Sequence, residues 1–363
     1  MTPMKSKLLS GLAVAILMAG TACSNTNSEE STDKTEDQTV TENAKVELVH
    51  DEQAQKVDVI IAGKLFTTYM YADSLEKPVL YPIHTANGNA ITRGWPIAPR
   101  PGERVDHPHH LGLWFNYGDV NGLDFWNNSS DIEDKTNYGH IVHRAVNSIQ
   151  NGENEGRLEV SLDWMNSKNE VLLTENTTFI FTGKDDQRTI DRIATLTAPN
   201  GEVKLTDNKE GMLGLRTARQ LEHPSEKPEI FTDASGKTTD VPTMNNEGVT
   251  GMYLSSNGKQ GNDVWGTRGE WTSLSGEIAG EKISVIILDK PSNPGYPTYW
   301  HARGYGLFAA NPLGQKALSD GKEELNFKLA QGESATFSYR ILVNSNDQVA
   351  ADNPDRAFKA WAK

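Results

Sequence analysis

From Val46 onward the chain is built of short runs in which apolar and polar positions alternate. They cover Lys56 to Ile61, Lys64 to Tyr71, Arg157 to Trp164, Glu175 to Phe181, Arg188 to Leu196, Lys282 to Leu288, Glu324 to Leu329 and Ala335 to Val343. A period of two carried by β-branched and aromatic residues predicts half-buried strands. Clusters of Asn, Gly, Asp and Lys, at Asn151 to Gly156, Gly183 to Asp186 and Asn200 to Glu202, predict the hairpin turns between them. A helical period is confined to Pro354 to Trp361, and no repeat of fixed length is visible.

The fold class expected is therefore all-β, a large antiparallel β-sandwich forming a single domain over residues 46–363, with a ligand cleft on one concave sheet. Length alone would allow two domains, but large all-β units run this long and no internal linker interrupts the pattern. A jelly roll is the second choice, and the missing repeat disfavours a propeller.

The N-terminus breaks the alternation. Lys5 and Lys7 precede an apolar run from Leu8 to Ala19, and the small residues Gly20, Thr21 and Ala22 lead into Cys23. That run is too short for a spanning helix and has the layout of a signal peptide, residues 1–22. Cys23 is the one cysteine of the chain, so no intrachain disulfide can form, and its position predicts lipidation. Residues 23–45 are rich in Ser, Thr, Asn, Asp and Glu and predict an acidic flexible tether. The location expected is an outer-membrane lipoprotein facing the periplasm or the cell surface, with the lipid anchor as its membrane contact.

Charge narrows the partners. The signal carries two lysines and no acid, so its removal takes the net charge from −14 to −16. Such a chain lacks the basic stripe that a phosphate backbone requires, which excludes nucleic acid as a partner. An anionic polymer fits only where Arg and Lys gather in a cleft.

Two segments are too polar and Pro-rich for ordinary core. In Gly94 to Trp126, Arg100, Arg104, Asp106, His107, His109 and His110 crowd together and run into an expected strand, Leu111 to Tyr117. His110, Trp114 and Asn116 would share one face of it. In Asp289 to Gly314, Tyr299, Trp300, His301, Arg303, Tyr305 and Asn311 lie between Pro-rich and Gly-rich turns. Aromatic rings stack on the C–H faces of a pyranose, while His, Arg, Tyr and Asn hydrogen-bond its hydroxyls.

The sequences HPHHLGLWF (His107 to Phe115), GLDFW (Gly122 to Trp126) and PSNPGYPTYWHARGYGLFAANPLG (Pro291 to Gly314) resemble the PmoA-like family of exported bacterial proteins. Gly214 to Ala218 and Trp271-Thr272 extend the pattern. The resemblance implies a sandwich similar to the galactose-mutarotase supersandwich, in proteins of carbohydrate-degrading bacteria. The family's label of methane oxygenase conflicts with the lack of spanning helices beyond the signal. No Glu matches the late catalytic Glu of mutarotases, since Glu323, Glu324 and Glu333 lie in routine strand and turn sequence.

Three functions are compatible with these residues. The first is an extracytoplasmic enzyme acting on a sugar or oligosaccharide as hydrolase, lyase or epimerase. His110 or His301 would be its base, Arg303 or Arg216 its charge stabiliser and Tyr305 its acid. The second is a His-ligated metal site. No cofactor is expected, and if a divalent metal were bound, His107, His109 and His140 would be its ligands, although Pro108 and the adjacent pair His109-His110 oppose joint ligation. The third is non-catalytic sugar binding, with Trp114, Trp126, Trp271 and Trp300 as a stacking platform, Asn116 and Asn311 as hydrogen-bonding groups, and Arg216 and Arg303 holding a carboxylate.

Overall fold

The computed structural model describes residues 44–346 and 353–363. The signal, Cys23 and most of the tether lie outside the described residues. Just before Val46 the Ala44 N–H donates to the Gly183 carbonyl (2.9 Å), and the Lys45 carbonyl accepts from Ala62 (3.0 Å).

The large antiparallel sandwich expected from the alternation forms. One sheet has nine strands, in the spatial order Val46–Asp51, Lys56–Ile61, Lys64–Met70, Val79–Ile83, Leu113–Tyr117, Gly211–Arg216, Leu307–Asn311, Tyr299–Arg303 and Thr267–Arg268. The other has eight, in the order Met252–Ser255, Trp271–Ile278, Glu281–Asp289, Ser334–Ser345, Gln187–Thr197, Val171–Lys184, Glu155–Met165 and His140–Gln150. Every pairing between these strands is antiparallel. The main core lies between the sheets and draws on alternate residues of both, among them Val57, Val59 and Ile61 from one and Leu158, Val160 and Leu162 from the other. Each such side chain contributes about 1.5–3 kcal/mol by leaving water.

Two expected strands begin late, for identifiable reasons. The run Leu111 to Tyr117 enters the sheet only at Leu113, because Gly112 has φ 54°, and a Cβ there would lie 2.3 Å from the Leu80 carbonyl oxygen. The run Glu324 to Leu329 is a strand only over Phe327–Leu329. The Asp207 carboxylate takes the backbone N–H groups of Leu325 (3.0 Å) and Asn326 (2.6 Å), and Asn326 turns to φ 46°. The C-terminal helix Pro354–Trp361 forms, capped by the Asn353 side chain, and lays Phe358 on an apolar cluster with Trp271, Ile286 and Leu288.

The nine-stranded sheet is apolar on both faces at its centre. Leu113, Phe115 and Tyr117 point to the main core, whereas Trp114 joins Val79, Tyr81, Trp126, Leu307 and Ala309 in a second cluster on the opposite face. That second cluster is the floor on which the polar loops rest.

Candidate functional site

The side chains come together because of register. Trp114 pairs with Gly214, Gly214 with Ala309 and Ala309 with His301, so these four residues form one row across four strands. Arg216, Leu307 and Arg303 form the next row on the same face. Two small residues thus separate a tryptophan from a histidine. A Cβ at Gly214 would lie 2.4 Å from Trp114 Cζ2 and 2.9 Å from Trp126 Cη2, so glycine is what lets both indoles lie on the sheet.

Over this floor lies a cleft of about 1000 Å³, lined by His107, His109, His110, Trp126, His301, Arg303 and Tyr305 among others. The two segments marked by the sequence therefore meet. Arg93 holds the turn that carries the histidines with five hydrogen bonds, to the carbonyls of Arg104, Asp106, His107 and His110 and to the Asp106 carboxylate. Lys77, itself buried, donates to the His109 carbonyl at 2.9 Å.

His107 sits at φ 45°, a left-handed conformation that costs a non-glycine residue about 1 kcal/mol or more. Its Nδ1 is 3.1 Å from Asp106 Oδ2. Asp106 Oδ1 is held by Arg93 (2.6 Å) and Arg216 (2.5 Å). Burial would raise the Asp106 pKa, but Arg216, His107 and Arg93 outweigh it and keep the group far below the usual carboxylate range. The ionised carboxylate lies beside His107 as an electrostatic neighbour, and Nδ1 makes no hydrogen bond within the protein. The His107 ring lies parallel to those of His110 and Tyr305, with both centroids 4.8 Å away.

His301 is buried, and its Nδ1 lies 2.9 Å from the Lys209 carbonyl and 3.6 Å from Glu210 Oε2. Both neighbours are acceptors, so the proton sits on Nδ1. Burial first, then Lys209 and Arg303, lower the His301 pKa to about 3. Burial pushes the Tyr305 phenol up to about 12 against the pull of Arg216 and Arg303, so it stays protonated at neutral pH. His110 accepts from Arg216 at Nδ1 (3.3 Å), which leaves its Nε2–H buried without a partner in the protein. Burial, with His109 and Arg216, holds His110 neutral.

The other expected site residues fall elsewhere. Trp114 lies beneath the cleft, stacked on His110 with centroids 5.1 Å apart. Arg216 is fully buried behind Asp106, with its guanidinium over the Tyr305 ring at 5.0 Å, and so acts through those two groups. Asn116 donates to the Phe125 carbonyl (2.6 Å), and Asn311 to the Asn208 carbonyl (2.8 Å), next to the loop carrying Lys209 and Glu210. Trp300 neighbours His301 in a strand and therefore points the other way, into the main core, with its N–H on the Gly269 carbonyl (3.2 Å). Trp271 lies on the eight-stranded sheet, bonded to Asp355 at 2.8 Å. The four-tryptophan platform is thus not assembled.

A metal does not suit these donors. His140 lies on the eight-stranded sheet beside Asn169 and Glu76 and does not line the cleft. His107 and His109 meet edge to face, 5.7 Å apart, and among the described residues no group of three or more His, Cys, Asp or Glu side chains is placed to hold an ion. Conversely, sequence reading passed over Arg93, Lys77, Glu210, His223, Asn262 and Trp265, which clamp or line the cleft. Each is isolated in sequence and carries no motif; Asp106, noted within the histidine segment, had no role until its contacts were visible.

No curated protein matches the chain. Among solved structures it is similar to the galactosidase domain of alpha-galactosidase-sucrose kinase, at 10% identity over 83% of this chain and 42% of that one, TM-score 0.38. It is also similar to the alpha-galactosidase from Lactobacillus brevis, at 11% identity over 83% and 39%, TM-score 0.33. The chain spans less than half the length of those two. A third similar structure is the galactose 1-epimerase from Lactobacillus acidophilus NCFM, at 8% identity over 84% and 99%, TM-score 0.34. By a match over residues 56–359, the chain belongs to the family of unknown function DUF6807.

Proposed function

We propose that the cleft is the active site of an enzyme that moves a proton at a carbon of a sugar, as an epimerase or a lyase, working outside the cytoplasm as a lipoprotein. The observation that carries this is the Asp106–His107 contact at 3.1 Å, which orients an imidazole lining the cleft beside a protonated Tyr305. His107 Nε2 would take a proton from a carbon next to a carbonyl or carboxylate, and Tyr305 would supply one to the product or leaving oxygen. A positioned base of this kind contributes a factor of about 10²–10⁴.

Two-carboxylate hydrolysis has less support. Four carboxylates line the cleft, and three are already paired with a cation: Asp106 with Arg93 and Arg216, Glu210 with Lys209, and Glu229 with Arg104, which leaves Glu226 without a second free carboxyl group to work with. A carboxylate held in this way is a poor proton donor, which hydrolysis by a carboxyl pair needs. The test is incubation of neutral and acidic oligosaccharides with the protein in D₂O, followed by NMR. Deuterium entering a ring carbon, or a new ring double bond, supports the proposal; new reducing ends without either would point to hydrolysis and sink it.

A further inference from the structure

We propose that the Arg303 end of the cleft is a carboxylate subsite, so that the sugar taken by the cleft is a uronic acid or a similarly carboxylated one; this rests on the sugar reading above. The pairing of charges carries the argument. Asp106 is shared by Arg93 and Arg216, and Glu222 by Arg104 and Arg219. Arg303 lines the same cleft, is exposed, and has no carboxylate partner among the described residues. Its guanidinium lies instead over the rings of Trp265, at 5.4 Å, and Tyr305, at 6.0 Å. In a chain with 49 acidic and 35 basic residues, a guanidinium inside a cleft that no carboxylate of the described residues pairs has the chemistry of an anion receptor. Aromatic faces support the plane of the fork and leave its N–H edge for a planar, two-oxygen acceptor.

A second observation points to the same end. Trp265 Nε1 and His223 Nε2 are buried, line the cleft and find no partner in the protein. Buried polar groups are ordinarily satisfied, so an indole N–H without an acceptor beside a free guanidinium marks where an oxygen of a ligand belongs. One carboxylate can take the Arg303 fork and this N–H together.

The placement also supplies what proton removal requires. Arg303 and His301 share a strand face two residues apart, about 6–7 Å along the strand. A carboxylate on Arg303 therefore sets the ring carbon bearing it close to the His107, His301 and Tyr305 groups. His107 takes the proton from that carbon, and the freed electron pair moves into the carboxylate, whose charge Arg303 faces. The pair then either takes a proton from solvent on the opposite face of the carbon, His107 releasing its own to solvent and giving the epimer, or forms a ring double bond as the neighbouring C–O bond breaks. In the second case the leaving oxygen takes the Tyr305 proton.

Isothermal titration of the full-length protein with trisaccharides of galacturonate, glucuronate and mannuronate, with their uncharged counterparts and with acetate, tests the proposal. At least one uronate should bind about tenfold or more tightly than its neutral counterpart, with acetate far weaker than either. That preference should fall to near one in Arg303→Gln and be partly kept in Arg303→Lys, with melting temperatures unchanged. Neutral sugars binding as well as uronates, or a preference that survives Arg303→Gln, would overturn the subsite while leaving the sugar reading intact. Folded protein that binds no sugar at all would overturn both, and acetate binding as tightly as a uronate would reassign the site to free carboxylates.

Discussion

Trp114 and His301 stand on one row of the nine-stranded sheet with only Gly214 and Ala309 between them. The arrangement ties core packing to the cleft. Trp114 carries the stacked His110, His110 lies parallel to His107, and His301 closes the same row from three strands away. A change in the small residues of this row therefore reaches the polar groups above it through contacts that cannot be squeezed, since protein interiors pack as densely as organic crystals.

Gly214→Ala tests this directly. The added methyl would lie 2.4 Å from Trp114 Cζ2, and backbone pairing on both sides leaves the indole nowhere to go except upward into His110. We expect a loss of about 1–3 kcal/mol in urea unfolding together with a changed near-ultraviolet circular dichroism spectrum. Wild-type stability and spectrum in this variant would show that the row does not support the floor.

His107→Gln separates chemistry from structure. The glutamine removes the imidazole of a half-buried side chain, so turnover per folded molecule should fall about 10²–10⁴-fold with a smaller change in melting temperature than in a buried-pair variant. Asp106→Asn is the contrasting variant. It leaves Arg93 and Arg216 buried without their shared anion, and losing one partner of a buried pair costs about 3–5 kcal/mol, so stability and turnover should fall together. Equal turnover in His107→Gln and wild type would remove His107 from the mechanism.

How much of this was legible beforehand depended on range. Alternation revealed the strands Lys56–Ile61 and Glu155–Met165 because one face of each is core and the other faces outward, the condition under which a period of two is visible. It missed Gly211–Arg216 and Leu307–Asn311, which are buried on both faces and show no alternation. The same geometry undid part of the site. Trp300 and His301 are adjacent, so a strand must send them to opposite sides, and an aromatic next to a polar residue reads as one site only if the segment is a loop. The Arg104–Glu222 and Arg216–Asp106 pairs span 118 and 110 residues and exist only once the sheet is closed.

The anchor is tested at Cys23. A cysteine diacylated on sulfur with a further acyl chain exceeds the two-signal threshold for stable membrane attachment. Wild-type protein should fractionate with membranes and into detergent, and Cys23→Ala should be released to the soluble fraction. Retention of that variant on membranes, with no lipid on the wild type, would rule the anchor out.

The cleft should also make the protein sensitive to acid in a defined window. His301 is buried and neutral, with a folded pKa of about 3 against an ordinary histidine value near 6.5. In that interval the unfolded chain binds a proton that the folded chain refuses, so unfolding becomes easier as pH falls from about 6.5 and the effect is complete near pH 3. Above pH 7 both states are neutral at this residue and it gives no slope. Within the window each such histidine contributes about 1.4 kcal/mol per pH unit, and His109, lowered to about 2 chiefly by burial and then by Lys77, acts in the same direction. Urea unfolding of wild type and His301→Gln between pH 7 and pH 4 gives the comparison. The variant should start lower at pH 7, because it loses the Nδ1 bond to the Lys209 carbonyl, and should then lose less stability than wild type on acidification. Parallel pH profiles would mean that His301 takes up its proton without unfolding, and is therefore open to solvent rather than sealed in the cleft wall.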